Sequence, residues 1–321
     1  DCFGSVKHAA KRPISVLDFQ SGQTSYASYD MNHLLVRPKL LPTWLAPDRS
    51  HLAEQNIEKL AAFMRNSFFT ENETLKLSKV INEAAAGDRK LQAGAAEFCL
   101  LLAETMEMGL NALTAAAFHY CACVRHREHD LPIEDDQAVD YSYGSHVQEI
   151  VADAARLKQL EMVAGDLQEF ENLRHLLLTE TKDWRALAIR TGACLYRLRG
   201  ILAAGNKELT KESARTSREA FDIYAPMASR LGMHRLKNEI EGSAFRILYR
   251  RQYEHVQRMH NELNEGNAMQ NVLDTVQTDM KHMLENDEEF RRQVEEFDVT
   301  ARVKEPYSMW QKMLKHKYKH I

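Results

Sequence analysis

The residues whose types and spacing best suit chemistry lie near the carboxyl terminus. Between positions 299 and 321 there are six basic residues and one acid, a local charge of +5 in a chain whose formal net charge is −4. A helix starting near Pro306 would carry Ser308 and Lys312 on one face and would present unpaired N–H groups at its positive end. This combination favours an anion, and a polyphosphate is the natural ligand. The predicted binding residues are Arg302, Lys304, Ser308 and Lys312.

A second set of candidate ligands lies near the middle of the chain and comprises His119, Cys121, Cys123, His126 and His129. On a helix, His119, Cys123 and His126 stack at positions i, i+4 and i+7, and a fourth ligand would complete a zinc site. The spacing matches no standard zinc finger. The simpler interpretation is a core helix whose cysteines act as small hydrophobic residues. The charged tail also has a simpler interpretation, as a solvated helix face.

The elements that must position these residues are predicted to be helices. Glycine and proline, 13 and 7 residues, are together about half as frequent as in typical globular chains, which disfavours sandwiches and barrels. Apolar residues recur with helical spacing, as at Trp184, Leu187, Thr191, Leu195, Leu198 and Leu202. Helix starts are indicated by Thr70 with Glu73, by Asp88, by Asn111 and by Ser145 with Gln148.

Composition divides the chain into four regions. Residues 1–49 hold four of the seven prolines and are predicted to form an irregular extension, followed by a helical domain at 50–205, a helical connector at 206–296 with a kink at Pro226, and the basic segment at 297–321. The longest apolar stretches are too short to span a membrane. The small net charge indicates no affinity for nucleic acid, and five cysteines, an odd number, favour a reducing compartment. We expect a soluble, all-α protein.

Two separate segments resemble signatures of the RelA/SpoT family, the synthetases and hydrolases of the alarmone (p)ppGpp. The first resembles the pattern Y-A-P-L-A-x-R-L-G, then L-K-x-E-L-E-D and F, with Gly242 in place of the aspartate. Its matching residues are Tyr224, Ala225, Pro226, Met227, Ala228, Arg230, Leu231, Gly232, Leu236, Lys237, Glu239, Ile240, Glu241 and Phe245. The second resembles G-R-P-K-H-x-Y-S-I-x-x-K-M. Its matching residues are Arg302, Lys304, Tyr307, Ser308, Lys312 and Met313.

The middle of the chain resembles the family's HD hydrolase domain without its metal ligands. His119 is retained, but the two metal-binding aspartates correspond to Tyr120 and Ala193, and residues 91–97 lack the family's other ligand histidine. One ligand of four cannot hold a metal ion that activates water. The resemblance therefore implies a degenerate HD helical bundle that binds no metal, with His119 as a relict of the hydrolase site.

Family membership implies a Mg²⁺-dependent transfer of pyrophosphate from ATP to the 3′-hydroxyl of GDP or GTP. In that reaction Arg302 would contact the ATP base or phosphates, and Lys304, Ser308 and Lys312 would hold the triphosphate. The family's catalytic carboxylates would follow Ile321. We therefore expect an N-terminal fragment that ends in the first helix of a truncated α/β synthetase domain, binds no cofactor of its own and does not catalyse synthesis.

Two other functions remain open from the sequence. One is a non-catalytic helical relative that regulates a partner or only binds nucleotide, and the other is a metal-dependent phosphohydrolase built on His119. Family relatives occur in bacteria and in plastids, so the resemblance is compatible with the cytoplasm or a plastid. We expect no membrane partner and no direct contact with nucleic acid.

Overall fold

The computed structural model describes residues 50–129, 143–164, 170–205, 209–264, 268–294, 297–301 and 303–316. Among these residues every regular element is a helix, which confirms the predicted all-α class. The predicted extension at 1–49 lies outside the described residues. The chain forms two compact units that divide between Ala244 and Phe245. Residues 206–296 as a connector and residues 297–321 as the start of another domain remain predictions.

The first unit is a bundle of helices. After a 3₁₀ turn at Ser50–Leu52 its elements are α1 (Ala53–Arg65), α2 (Glu71–Ala85), α3 (Arg89–Met106), α4 (Leu110–His129), α5 (Ser145–Ala164), α6 (Phe170–Glu180), α7 (Trp184–Ala203), α8 (Lys211–Glu219), a π turn (Ala220–Tyr224), α9 (Ala225–Arg230) and α10 (His234–Leu248), within which the division between units falls. Helix α3 packs against α1, α4 and α7, while α4 also packs against α2 and α5. The core lies between these helices and includes Phe98, Leu102, Leu113, Ile150 and Leu157, all fully buried.

Two of the predicted helix caps are confirmed, and α5 begins at Ser145, close to its predicted start. The side chains of Thr70 and Glu73 form the predicted capping box, and the carboxylate of Asp88 accepts N–H bonds at the start of α3. Helix α2 ends where Ala86 and Gly87 adopt left-handed backbone angles, with φ of 51° and 81°. The prediction of Asn111 as an N-cap is wrong. Helix α4 already begins at Leu110, and the carbonyl preceding it accepts the first helical hydrogen bonds.

The predicted kink at Pro226 takes the form of the π turn. Proline has no N–H, so in a regular α-helix the carbonyl of Asp222, four residues earlier, would have no backbone donor. In the π turn the N–H of Ala225 donates instead to the carbonyl five residues before it. Nη1 of Arg174, on α6, donates to the Asp222 carbonyl at 3.2 Å. The kink is therefore accommodated by a side chain from another helix.

Two smaller expectations about helices are wrong. Trp184, the first residue of the apolar stripe expected to face the core, is 53% exposed at the start of α7. The other residues of that stripe are buried except Leu202, which is half-buried. The sequence predicts three helices between Lys207 and Glu296. The described part of that stretch contains six α-helices besides the π turn, because short segments such as α9 and α13 carry too few apolar repeats to stand out.

The second unit comprises the end of α10 and the helices α11 (Arg250–Asn264), α12 (Ala268–Asn286), α13 (Glu288–Gln293) and α14 (Pro306–His316). Helix α11 packs against both α12 and α14. Its small core contains Val256 of α11 with Met309 and Met313 of α14. In the part of the chain that the structure describes, no helix combines the length and apolarity that crossing a bilayer requires.

Candidate functional site

The predicted anion site lies at the start of α14. This helix begins at Pro306, as predicted, and carries Ser308 and Lys312 one turn apart. Lys304, two residues before the helix, and Lys312 are exposed, while Ser308 is partly buried. Arg302 lies outside the described residues. The structure thus brings one hydroxyl and two ammonium groups to the first turns of one helix, where the backbone N–H groups are directed toward the same region.

Helix α14 is held in place by its opposite, apolar face. Met309 and Met313 are buried against Val256, and the indole of Trp310 stacks on Phe245 with a 4.9 Å separation of ring centroids. Tyr307 also contacts Phe245, at 5.4 Å. Phe245 belongs to the first RelA/SpoT-like segment and Trp310 lies in the second. Aromatic residues of the two RelA/SpoT-like segments therefore pack against each other. Lys304 and Lys312 remain exposed to solvent.

A second candidate site is a small cavity in the first unit, between α3, α4 and α7. It has an aromatic side and a polar side. The lining residues are Phe98 of α3, His119, Tyr120, Cys123 and Val124 of α4, and Arg190, Ala193, Tyr196 and Arg197 of α7. Tyr120 and Ala193 are the positions where the resemblance places the metal-binding aspartates of the HD domain. By that resemblance, the cavity corresponds to the hydrolase site of the family.

Tyrosine side chains occupy the aromatic side of this cavity. The rings of Tyr120 and Tyr196 meet edge to face, with centroids 5.6 Å apart, and the hydroxyl of Tyr196 donates to Glu97 at 3.2 Å. The hydroxyl of Tyr120 lies so close to Gly94 that a Cβ atom there would be 2.0 Å from it. Gly94 belongs to the segment that lacks the expected ligand histidine. A larger side chain at position 94 would therefore require the ring of Tyr120 to move.

The polar side is organised around a buried arginine. Nη1 of Arg190 lies 3.1 Å from Nε2 of His119, which is itself only 2% exposed. Nε of Arg190 donates to Oε1 of Glu161 on α5 at 3.1 Å, and its Nη2 contacts the other carboxylate oxygen. Burial acts to raise the pKa of Glu161, but Arg190 and then Lys158 outweigh it and lower the pKa to about 2. Glu161 is therefore a carboxylate paired with the guanidinium.

This arrangement does not suit a divalent metal ion. A guanidinium carries only N–H donors, so Arg190 must use the lone pair on Nε2 of His119, which is the electron pair that a metal would need. Within the described ranges there is no group of three His, Cys, Asp or Glu residues placed to hold a metal. Of the zinc candidates, Cys123 lies 3.5 Å from His119, whereas Cys121 is buried. The side chains of His126 and His129 lie outside the described residues.

Sequence reasoning missed the residues that organise this cavity, namely Glu161, Arg190 and Arg197. One signal could have found Arg190. It stands within a run of otherwise small or apolar residues at 186–195, and a charged residue in a buried stretch requires a partner. The partner could not have been identified, because Glu161 lies 29 positions earlier on a different helix.

Comparison with known proteins agrees with the helical fold. A family model of the HD domain matches residues 81–234, a range that includes α4 and α7 and hence the whole cavity. Residues 81–234 are therefore similar to a helical HD domain.

Several curated proteins are similar to about half of this chain. The chain is 31% identical over 178 residues to a GTP pyrophosphokinase rsh of Brucella suis. The aligned segment covers 55% of this chain and 22% of that protein. It is 28% identical over 184 residues to a guanosine-3′,5′-bis(diphosphate) 3′-pyrophosphohydrolase of Haemophilus influenzae, covering 57% and 25% of the two chains. A GTP pyrophosphokinase of Streptomyces antibioticus is 31% identical over 152 residues, 47% of this chain and 16% of that one. The chain thus spans a quarter or less of the length of these relatives. Together with the domain match, these similarities support a RelA/SpoT-family HD-domain fragment.

Proposed function

We propose that this protein acts in (p)ppGpp metabolism through nucleotide binding at α14, and that its HD domain does not hydrolyse the alarmone. The observation that carries the second half of the proposal is the contact between Arg190 and His119. RelA/SpoT enzymes generally use divalent metal ions. In this chain the retained histidine is engaged by a cation, which would repel a second cation at the same nitrogen.

The substitution at position 120 supports the same conclusion. A metal site in this cavity would need oxygen or nitrogen ligands directed at one point, and a divalent ion that activates water needs an open coordination position. The ring of Tyr120 instead packs against Phe98 and Tyr196, with centroids 5.8 and 5.6 Å away. These rings take up the volume that a hydrated metal ion would need.

The proposal for α14 depends on charge and on helix geometry. Lys304 and Lys312 are exposed, and they flank a helix start whose N–H groups favour negative charge. Ser308 adds a hydroxyl that can donate to a phosphate oxygen. Glu305 is the one carboxylate between positions 299 and 321. Because cations and donors outnumber it, the segment suits a triphosphate, so the proposed ligands are ATP and GTP or GDP, with Arg302 as a further contact.

Calorimetric titration of the chain with ATP tests nucleotide binding. A hydrogen bond from a charged group contributes about 1.5–3 kcal/mol, so Lys304→Ala and Lys312→Ala should each weaken binding by roughly tenfold or more. Lys281→Ala is the matched control, because it removes one exposed positive charge from α12 and should change affinity by less than about twofold. Equal losses in all three variants, or no binding by the parent chain, would overturn the proposal.

Incubation with (p)ppGpp and Mn²⁺ or Mg²⁺ tests the HD domain separately. The expected result is no release of pyrophosphate above the uncatalysed rate, and no metal retained after gel filtration. Hydrolysis that Tyr120→Ala or His119→Ala abolishes would contradict the proposal and would favour a metal-dependent phosphohydrolase instead.

A further inference from the structure

One arginine of the HD cavity, the cavity between α3, α4 and α7, has no acidic partner among the described residues. Arg197 lies on α7, two turns after Arg190, and both line the cavity. Arg190 is paired with Glu161. In the described ranges, no hydrogen bond or ion pair joins the guanidinium of Arg197, which is partly buried, to another residue. A cation that is partly withdrawn from water without a counter-charge is unfavourable.

The wall of the HD cavity carries an excess of positive charge. Two guanidinium groups and no carboxylate belong to the described residues that line it. Two carboxylates, those of Glu161 and Glu219, act on Arg197 from outside the lining. Each is already engaged by another cation, because Glu161 pairs with Arg190 and Glu219 accepts from Nε of Arg215 at 2.9 Å. The positive charge of Arg197 is therefore left uncompensated.

The two arginines have N–H groups available for an anion. A guanidinium carries five N–H donors. Arg190 uses one toward Nε2 of His119, at 3.1 Å, and two toward the carboxylate of Glu161, so two remain. All five of Arg197 remain. Repulsion from Arg190 also acts to lower the pKa of Arg197. An anion held by both guanidinium groups would offset this repulsion and accept their remaining hydrogen bonds.

The volume of the HD cavity restricts the ligand to a few atoms. The cavity measures about 30 Å³. A single water requires at least about 10–15 Å³, so the cavity has room for roughly two waters. An inorganic oxyanion such as phosphate or sulfate is of that size, whereas a nucleotide is far larger. The rings of Tyr120 and Tyr196 close the aromatic side, which leaves the polar side beside the arginines for the ion.

We propose that the HD cavity binds a small inorganic oxyanion through the guanidinium groups of Arg190 and Arg197. The anion supplies the counter-charge that Arg197 lacks and accepts hydrogen bonds from both side chains. The positive charge that disfavours a metal ion in this cavity is thus the same charge that attracts the anion. The site lies in the first unit and does not depend on the nucleotide site proposed at α14.

Equilibrium dialysis of the intact chain against labelled inorganic phosphate tests this site. Gluconate should keep the ionic strength constant, because that anion is too large for the cavity. The parent chain should bind phosphate at millimolar concentrations, with sulfate as a competitor. Arg197→Met removes the charge but keeps an unbranched apolar stem, and it should weaken phosphate binding at least about tenfold. The matched control is Arg199→Met on the same helix, which removes an exposed guanidinium and should change binding less than about twofold.

Further variants separate this site from α14. A chain with both Lys304→Ala and Lys312→Ala should still bind phosphate, and Arg197→Met should still bind ATP in the calorimetric titration, so either proposal can fail without the other. Arg197→Lys keeps the charge with fewer donors and should bind phosphate with an affinity between those of the parent and Arg197→Met.

Three results would overturn the assignment of the anion site. The first is a parent chain that binds no phosphate, which decides the question even if no variant folds. The second is a folded Arg197→Met variant, checked by circular dichroism, whose phosphate affinity equals that of the parent. The third is complete loss of phosphate binding in the double lysine variant, which would assign all of the binding to α14.

Discussion

The buried pair of Glu161 and Arg190 offers the sharpest test of how the HD cavity is stabilised. Replacing Glu161 with Gln removes the carboxylate and leaves the guanidinium, whose residue is 3% exposed, without a counter-charge. Breaking a buried pair by removing one partner typically costs about 3–5 kcal/mol, because the remaining charge stays desolvated. We therefore expect a large loss of stability from a substitution that changes the side-chain volume very little.

The magnitude can be worked from the acidity of the carboxyl group. Burial opposes ionisation of Glu161, yet Arg190 and Lys158 lower its pKa from an ordinary 4.5 to about 2. At 1.36 kcal/mol per pKa unit, this difference corresponds to roughly 3 kcal/mol. Because the folded pKa is the lower one, this stabilisation is present above pH 4.5 and is lost as the pH falls toward 2. The cost of Glu161→Gln should shrink over the same interval.

Urea unfolding followed by circular dichroism measures the effect. Glu161→Gln should reduce the free energy of unfolding by about 3 kcal/mol at pH 7. The matched control is Glu58→Gln, which breaks an exposed pair with Arg65 and should cost less than about 1 kcal/mol.

A double variant provides the refutation. Arg190→Met with Glu161→Gln removes the charged guanidinium together with its partner, so its cost should fall well below the sum of the two single losses. Additive losses, or a cost of Glu161→Gln no larger than that of Glu58→Gln, would refute the conclusion that this ion pair organises the cavity.

Three further substitutions have expected outcomes that urea unfolding can check. Gly94→Ala should cost about 1–3 kcal/mol of unfolding free energy because its Cβ would overlap the hydroxyl of Tyr120. In a chain that already carries Tyr120→Ala, most of that cost should disappear. An equal cost of Gly94→Ala in the parent chain and in the Tyr120→Ala variant would contradict the contact. Arg174→Ala should cost about 1–3 kcal/mol because it removes the hydrogen bond to the Asp222 carbonyl, and no measurable loss would show that this bond does not stabilise the π turn. Thr70→Ala should cost about 1 kcal/mol by removing the cap of α2, and no loss would show that the cap contributes nothing.

Local patterns predicted much of the secondary structure. The capping box at Thr70, the cap at Asp88 and the start of α14 at Pro306 depend on atoms within a few residues of one another, so the sequence contains all that they need. Trp184 shows where this reasoning stops. It follows the helical spacing of its stripe, yet it stands at the first position of α7, where no neighbouring helix covers it.

The candidate sites also combine features that the sequence predicts with features that depend on helix packing. The grouping of Ser308 and Lys312 on one face follows from helical geometry, and the loss of metal ligands at Tyr120 and Ala193 can be read from residue types once the resemblance is seen. What replaces the metal could not be predicted. The tyrosine hydroxyl beside Gly94 joins α4 to α3, and Arg190 of α7 meets His119 of α4.

By itself, the sequence determined that this chain is helical and that it resembles the RelA/SpoT family in two segments, and the resemblance predicts an HD domain without its metal ligands. These properties depend on residue identity and on spacings of three or four positions. Only the tertiary structure decided that Arg190 pairs with Glu161 and selects the tautomer of His119, and that Cys123 alone among the described thiols faces the cavity. Those contacts join residues up to 71 positions apart, and their geometry depends on how α4, α5 and α7 pack.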